Sequence, residues 1–261
     1  MEAGLAITLF TLGLLGGFLS GLIGIGGGII MVPLLLYVPP ALHVGLLTMK
    51  TVAGITSVQS FFGAISGAVG HKRHGRISVP LALYMGGSMS VAALAGSVAS
   101  QYLSSEWILL VFAVMAVIAA VMMFIPQNHV EVDTHAHELV FNKPLALVIG
   151  ATIGTLSGVI GQGGAFLFIP AMLFLLKIPM RITIGTALAI GIASSTAVLI
   201  GRMGTNQIPY LMSAVLVAGV IIGAQAGSAL SQRTPRRLLR GILSVLIAGS
   251  ALKICYELVV A

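Results

Sequence analysis

Long hydrophobic runs, separated by short polar stretches, dominate the pattern of the chain. They occupy ten segments: 5–23, 29–38, 43–69, 77–99, 108–125, 144–160, 165–176, 182–200, 208–230 and 238–260. A helix needs about 20 apolar residues to cross the hydrocarbon layer, so every segment except the second and the seventh is long enough to span a bilayer. The pattern therefore predicts an all-α integral membrane protein.

The two short segments each follow a glycine cluster that interrupts a hydrophobic region. The first cluster, residues 20–28, reads SGLIGIGGG, and the second, residues 157–165, reads SGVIGQGGA. A proline follows each cluster at the same distance, as Pro33 and Pro170. Two copies of one pattern at related places indicate an internal repeat.

The similarity between the two regions extends further along the chain. Gly96-Ser97 lies in the fourth hydrophobic segment and Gly227-Ser228 in the ninth, at equivalent depths. We therefore predict two homologous membrane repeats, residues 1–125 and 144–261, joined by a polar cytoplasmic linker at 126–143.

The basic residues decide between parallel and inverted repeats. If the chain continues across the membrane through each glycine break, the broken element is a single span and six basic residues fall on each side of the membrane. The positive-inside rule disfavours such an equal division. If the chain turns back at each break, ten share one face and only Arg202 and Lys253 lie opposite. We therefore predict inverted repeats, each with four spanning helices and a re-entrant half-helix, and both termini in the periplasm.

Composition agrees with a membrane protein and narrows its function. Only 7% of the residues are charged and 58% are hydrophobic, whereas about a quarter of the residues in soluble domains are charged. The net charge is +7, and the basic residues lie between the hydrophobic runs. This placement is typical of topology signals and not of a nucleic-acid surface. The single cysteine, Cys255, excludes a multi-cysteine metal site. Since no catalytic or metal-ligand cluster is recognisable, we predict neither an enzyme nor a cofactor.

The glycine clusters form the predicted substrate site. Non-helical backbone at bilayer depth is tolerated where protein buries it or where it lines a water-filled cavity, and paired breaks mark transport sites. The N–H groups at the start of the following half-helix then favour an anion. The residues predicted to bind it are Gly26, Gly27, Gly28, Gln162, Gly163, Gly164 and Ala165. The alternative is that these glycines only allow close helix packing.

Polar side chains near the clusters are further candidates. Thr51, Thr186 and Ser194 lie on the helices after the clusters, where hydroxyls can replace the hydration shell of an anion. Lys50 is the one basic residue well inside a span, so it either binds substrate or snorkels from the helix end. Arg202 is interpreted as an interfacial anchor. No acidic residue lies deep in a span, which argues against a carboxylate site for cations.

Three motifs resemble the TauE/SafE sulfite exporter family, also described as the toluene sulfonate uptake permease group. They are GIGGG at 24–28 with Pro33, SGVIGQGG at 157–164 with Pro170, and IGTALA at 184–189. The resemblance covers essentially the whole chain. It implies a transporter, usually an exporter, of sulfite, sulfonate or thiosulfate anions in a bacterial or archaeal cytoplasmic membrane. Lys50-Thr51 and Gln162 depart from the family's pattern.

The residues and the resemblance together predict a secondary transporter of small sulfur-containing anions that works by alternating access between the two repeats. Two alternatives stay open, namely an anion channel on the same scaffold and a non-transport membrane subunit. The sequence also leaves open whether transport is coupled to protons and whether the protein forms oligomers.

Overall fold

Nine helices account for the regular structure that the computed structural model describes, which covers residues 2–23, 28–70, 77–124 and 141–231 together with Gly249. The helices are α1 (Ala3–Ile23), α2 (Gly28–Ala41), α3 (Met49–Gly70), α4 (Val79–Tyr102), α5 (Ser105–Phe124), α6 (Lys143–Ile160), α7 (Ala165–Phe174), α8 (Met180–Gly204) and α9 (Tyr210–Ser231). They coincide in order with the first nine hydrophobic segments. Residues 24–27, linker residues 126–140 and all of the tenth segment except Gly249 lie outside the described residues.

Six of the described helices are long and apolar enough to cross a membrane, namely α1, α4, α5, α6, α8 and α9. The chain is therefore a multi-pass membrane protein whose described part is all helical, as predicted. Helix α2 is a shorter apolar helix, and α7 has 10 residues. Helix α3 is 22 residues long but is not among the six, and it carries the polar residues Lys50, Thr51, Ser57 and Gln59.

Local sequence explains where two of the helices begin. Helix α6 starts after Asn142, whose side-chain oxygen accepts a hydrogen bond of 3.0 Å from the Leu145 N–H, the usual role of asparagine before a helix. The third hydrophobic run begins at residue 43, whereas α3 begins six residues later. His43 and Gly45 have φ values of 55° and 143°, so the chain turns there and the helix begins at Met49.

Helices α1 and α9 pack closely along a row of glycines. A β-carbon on Gly13, Gly17 or Gly21 of α1 would collide with the carbonyl oxygens of Leu216, Val220 and Ala224, respectively. Glycines of α9 meet α1 in the same way, since Gly219, Gly223 and Gly227 lie against the carbonyl oxygens of Phe10, Leu14 and Phe18. Small residues let membrane helices approach to backbone contact, where van der Waals packing is strongest.

Helices α4 and α6 form a second interface of the same kind. Gly150, Gly154 and Gly158 of α6 lie against the carbonyl oxygens of Met85, Met89 and Ala93. These glycines occupy the positions in the second repeat that Gly13, Gly17 and Gly21 occupy in the first. Each tight pair therefore joins the first helix of one predicted repeat to the fourth helix of the other.

Helices α4 and α8 lie side by side and run in the same direction. Near their starts, the Ser78 N–H donates to the Thr186 hydroxyl over 3.1 Å. Further along, Gly86 faces Ile190, and Gly201 faces Ser97. The contacts advance together along both helices, which is the signature of parallel packing.

Candidate functional site

The second glycine cluster breaks the helix, as the sequence predicts. Gly161 and Gly164 have φ values of 83° and 67°, a left-handed conformation that glycine adopts at little cost. The N–H groups of Gly161 and Gln162 both donate to the Ser157 carbonyl, over 3.0 and 2.9 Å. This pattern ends a helix with a left-handed glycine. The chain therefore leaves α6 at Ile160 and begins α7 at Ala165.

Helix α7 starts in the protein interior. The Gly164 carbonyl accepts hydrogen bonds from the N–H groups of Leu167 and Phe168, at 2.9 and 3.1 Å. The first N–H groups of a helix have no acceptor within it and carry a partial positive charge. Gly163 and Gly164 are buried, as are residues 166–173, so the charge at this helix end is not screened by bulk water.

Four of the predicted site residues meet at this break. Ser194 is fully buried on α8, and its hydroxyl donates to the carbonyl oxygens of Gly163 (3.1 Å) and Gly191 (3.3 Å). Gln162 is 1% exposed and precedes Gly163 in the break, and Gly164 completes the group. Ala165 follows as the first residue of α7.

The remaining predicted site residues lie elsewhere or outside the described part of the chain. The Lys50 ammonium donates to the Gln101 carbonyl at the end of α4, over 3.2 Å, and Thr51 pairs with Thr48. Thr186 meets Ser78 at the opposite end of α4, roughly 35 Å away at the helical rise per residue. Gly28 opens α2, while Gly26 and Gly27 are among the residues that are not described.

Arg202, interpreted from the sequence as an interfacial anchor, is instead fully buried beside the break. Its guanidinium donates to the carbonyl oxygens of Val159 (2.7 Å) and Gly158 (3.3 Å) in the last turn of α6. Within the part of the chain that the structure describes, the Arg202 Nε–H has no hydrogen-bond partner. It lies 3.0 Å from the position that a β-carbon on Gly161 would occupy. The position of Arg202 near the end of a hydrophobic run gave no signal for this burial.

A polar network connects Arg202 to the ends of α4 and α8. The Gln207 side-chain oxygen accepts hydrogen bonds from Arg202 and from the Ser100 hydroxyl, both at 2.9 Å. The Gln207 amide nitrogen donates to the Thr205 hydroxyl over 2.6 Å and to the Ser97 carbonyl over 3.4 Å. The network fixes the guanidinium at the place where α4, α6 and α8 meet.

Gln59 is a second buried polar group that the packing leaves unsatisfied. It lies in the middle of α3 and is fully buried, and neither atom of its amide has a hydrogen-bond partner among the described residues. A buried amide without a partner costs about 1–3 kcal/mol. Such a residue is either a defect of packing or a group that meets something other than protein.

Comparison with known proteins places the chain among membrane transporters. The family model "Sulfite exporter TauE/SafE" matches residues 9–254. A "Probable membrane transporter protein YjnA" of Bacillus subtilis is 28% identical over 262 residues, which cover 96% of this chain and all of that one (100%). The "Probable membrane transporter protein YdhB" of the same organism is 25% identical, covering 93% of this chain and 96% of its own. No solved structure matches the chain.

Proposed function

Because the chain belongs to the TauE/SafE sulfite exporter family, we propose that it is a secondary transporter that exports sulfur-containing anions, such as sulfite or organosulfonates, across the bacterial or archaeal cytoplasmic membrane. The observation that carries the proposal is the break at 161–164, where buried backbone and the start of α7 meet the Ser194 hydroxyl. Oriented N–H groups in a water-poor interior favour a small anion.

The proposed site in the second repeat consists of the backbone N–H groups of Gly163, Gly164 and Ala165, with Gln162 and Ser194 beside them. The N–H groups bind the substrate oxygens. Ser194 holds the Gly163 carbonyl, which fixes the orientation of the adjoining peptide units. Donors set in place before the substrate arrives cost no reorganisation when it binds.

The first repeat contributes an equivalent half-site at Gly26–Gly28. Helix α3 follows it in the chain as α8 follows the second break, and Gln59 lies in the middle of α3. The unsatisfied Gln59 amide then has a role, since it donates to or accepts from the hydrated substrate. Lys50, Thr51 and Thr186 remain predictions outside this core site, because Lys50 and Thr186 are engaged at opposite ends of α4 and Thr51 pairs with Thr48 at the start of α3.

The parallel packing of α4 and α8 supports inverted repeats with re-entrant half-helices. If α6 and α7 together crossed the membrane once, two spans would separate α4 from α8, and the two helices would run in opposite directions. A reversal at 161–164 adds one change of direction and makes them parallel, in agreement with their contacts. With the basic residues on the cytoplasmic side, the termini lie in the periplasm.

Alternating access then requires two bodies that move about the site. The glycine interfaces join α1 to α9 and α4 to α6 at backbone distance, so these pairs move as units. Helix α3 packs on α9, and α8 packs on α4. Each moving body is accordingly assembled from both repeats, and the motion occurs where α3 meets α8.

Uptake into proteoliposomes tests the transport function. Purified protein should take up labelled methanesulfonate, sulfite or thiosulfate with saturation, and an imposed gradient should drive uptake against the substrate concentration. Performing the assay with and without a proton gradient decides whether transport is coupled to protons. Flux that never exceeds equilibrium indicates the channel alternative, and the absence of flux for every anion contradicts the proposal.

Gly163→Ala is expected to fold normally and to bind the anion about tenfold more weakly, the loss expected for one hydrogen bond to a charged group. A β-carbon there would lie 3.4 Å from the Ser195 β-carbon and 3.6 Å from the Ser194 hydroxyl, so the packing accepts it. The methyl group narrows the space between the break and α8, beside the proposed donors. Titration of methanesulfonate against both proteins, with the unfolding temperature as control, checks this. Equal affinities would remove Gly163 from the site.

Gln59→Leu is expected to stabilise the protein by about 1–3 kcal/mol while it slows transport, because leucine removes the unsatisfied amide without leaving a cavity. Thermal unfolding and uptake are measured on the same preparation. Gln225→Leu, the same change at an exposed position of α9, serves as control and should leave uptake unchanged. A more stable Gln59→Leu protein with normal uptake would identify Gln59 as a packing defect.

A further inference from the structure

We propose that Arg202 supplies the single fixed positive charge that balances the transported anion, and that the site consequently selects a monoanion, a sulfonate or hydrogensulfite, over a dianion of similar shape. The inference deepens the proposed function and rests on it. It also assigns to Arg202 the role that the sequence suggested for Lys50.

The charge on Arg202 has no counter-charge of its own in the described part of the chain. All of its hydrogen-bond acceptors are neutral, namely the Gln207 side chain and the carbonyl oxygens of Gly158 and Val159. Two acidic residues, Glu2 and Glu106, fall within the described ranges, and both lie at helix starts. The α6 carbonyls offer only the partial negative charge of a helix end, so the buried cation remains incompletely compensated.

The uncompensated charge lies next to the break. The Arg202 Nε–H, which has no hydrogen-bond partner in the described part of the chain, lies against Gly161, and Gly161 is the residue at which the chain leaves α6. Four residues after Gly161 the chain begins α7 at Ala165, and the first turn of this helix lies in the same buried region. The guanidinium and the helix start therefore add their positive potentials at the position proposed for the substrate.

Three other cations whose side chains the structure describes do not compete for this role. The Lys50 ammonium is half-buried and hydrogen-bonded to the Gln101 carbonyl. The Lys143 ammonium lies 5.4 Å from the centre of the Tyr84 ring, at the start of α6, and Lys177 is exposed. A single buried charge neutralises a monoanion completely, whereas a dianion would leave one negative charge desolvated and unpaired.

The selectivity is testable on the unmodified protein. Methanesulfonate and perchlorate are tetrahedral monoanions, and sulfate is a tetrahedral dianion of similar size. Each is titrated as an inhibitor of labelled methanesulfonate uptake at constant ionic strength. Both monoanions should compete at least about tenfold more strongly than sulfate, the effect of one unpaired charge on binding. Sulfate that competes equally or better overturns the inference.

Substitutions test whether Arg202 supplies the positive charge of the site. Arg202→Gln should lower methanesulfonate affinity by about tenfold or more, and Arg202→Lys, which keeps the charge, should retain a larger share of it. Lys177→Gln removes one exposed positive charge and is the matched control, with affinity equal to wild type. A folded Arg202→Gln protein with wild-type affinity and wild-type preference for monoanions overturns the inference.

A purely structural role of Arg202 as a cap on α6 predicts a different outcome. Gln207→Leu removes an acceptor of the guanidinium but keeps the charge, so it should lower the unfolding temperature without changing the preference for monoanions. If Arg202→Gln does not fold, competition by methanesulfonate, perchlorate and sulfate is compared between wild type and Arg202→Lys, and the preference for monoanions still tests the inference. Absence of transport for every anion contradicts the proposed function itself, whereas transport without discrimination between monoanions and dianions contradicts only the inference about Arg202.

Discussion

Gly17→Leu is expected to prevent stable folding, with a loss of about 3 kcal/mol or more, at or beyond the upper end of overpacking penalties. Gly17 lies in the middle of the glycine row of α1, where even a β-carbon would collide with the Val220 carbonyl oxygen. A backbone carbonyl cannot move aside as a flexible side chain can. The whole α1–α9 interface must therefore open, and the close packing that holds it together is lost.

Gly154→Leu should prevent stable folding to the same extent, because Gly154 holds the equivalent position against the Met89 carbonyl in the α4–α6 interface. Gly87→Leu is the control, since Gly87 lies in α4 and a β-carbon there meets nothing within 4 Å. Its helix propensity should raise stability by up to about 1 kcal/mol. Size-exclusion chromatography and thermal unfolding in detergent measure all three variants. A well-folded Gly17→Leu protein would contradict the close approach of α1 and α9.

Gly161→Ala is expected to abolish anion binding and to destabilise the protein, through two costs that act together. The left-handed conformation of Gly161, with φ of 83°, costs about 1–2 kcal/mol for a residue with a β-carbon. The added carbon would also collide with the Ala53 carbonyl oxygen of α3. Relief of either cost moves the end of α6, and with it the acceptors that hold Arg202 in place.

The neighbouring Gly163→Ala change is the matched control for folding, because it adds the same methyl group two residues away without strain or collision. We expect Gly163→Ala to unfold at the wild-type temperature and Gly161→Ala to unfold well below it. Binding of methanesulfonate is measured on both. Equal unfolding temperatures would mean that the turn at Gly161 does not need a glycine, and the end of α6 would have to be assigned differently.

The order of the helices could be predicted from the sequence because hydrophobic length and glycine breaks are local properties. Runs of apolar residues set the spans, and the cluster at 157–165 predicted an interruption that the left-handed Gly161 and Gly164 confirm. The alternative, close packing, is also correct for other glycines of the same cluster. Gly158 meets the Ala93 carbonyl, so one short motif both packs a helix and ends it.

The partners of each helix could not be predicted in the same way. The four-residue spacing of Gly13, Gly17 and Gly21 indicates a packing face, but nothing in α1 identifies α9 as the helix that it meets. Arg202 was misjudged for a related reason. Its burial depends on the end of α6, about forty residues earlier in the chain, and only the three-dimensional arrangement brings the Val159 carbonyl within its reach.

The pairing of α1 with α9, at the far end of the described chain, has a consequence for biosynthesis. Helix α1 leaves the ribosome before α9, so its glycine face stays without its partner until α9 has been made. Helix α4, by contrast, can pack against its partner as soon as α6 has been made, so the α4–α6 interface can form while the chain is still being elongated. A chain that is truncated before α9 leaves α1 exposed to lipid and open to pairing with the wrong helix. Quality control in the membrane should therefore recognise incomplete chains by the unoccupied glycine face of α1.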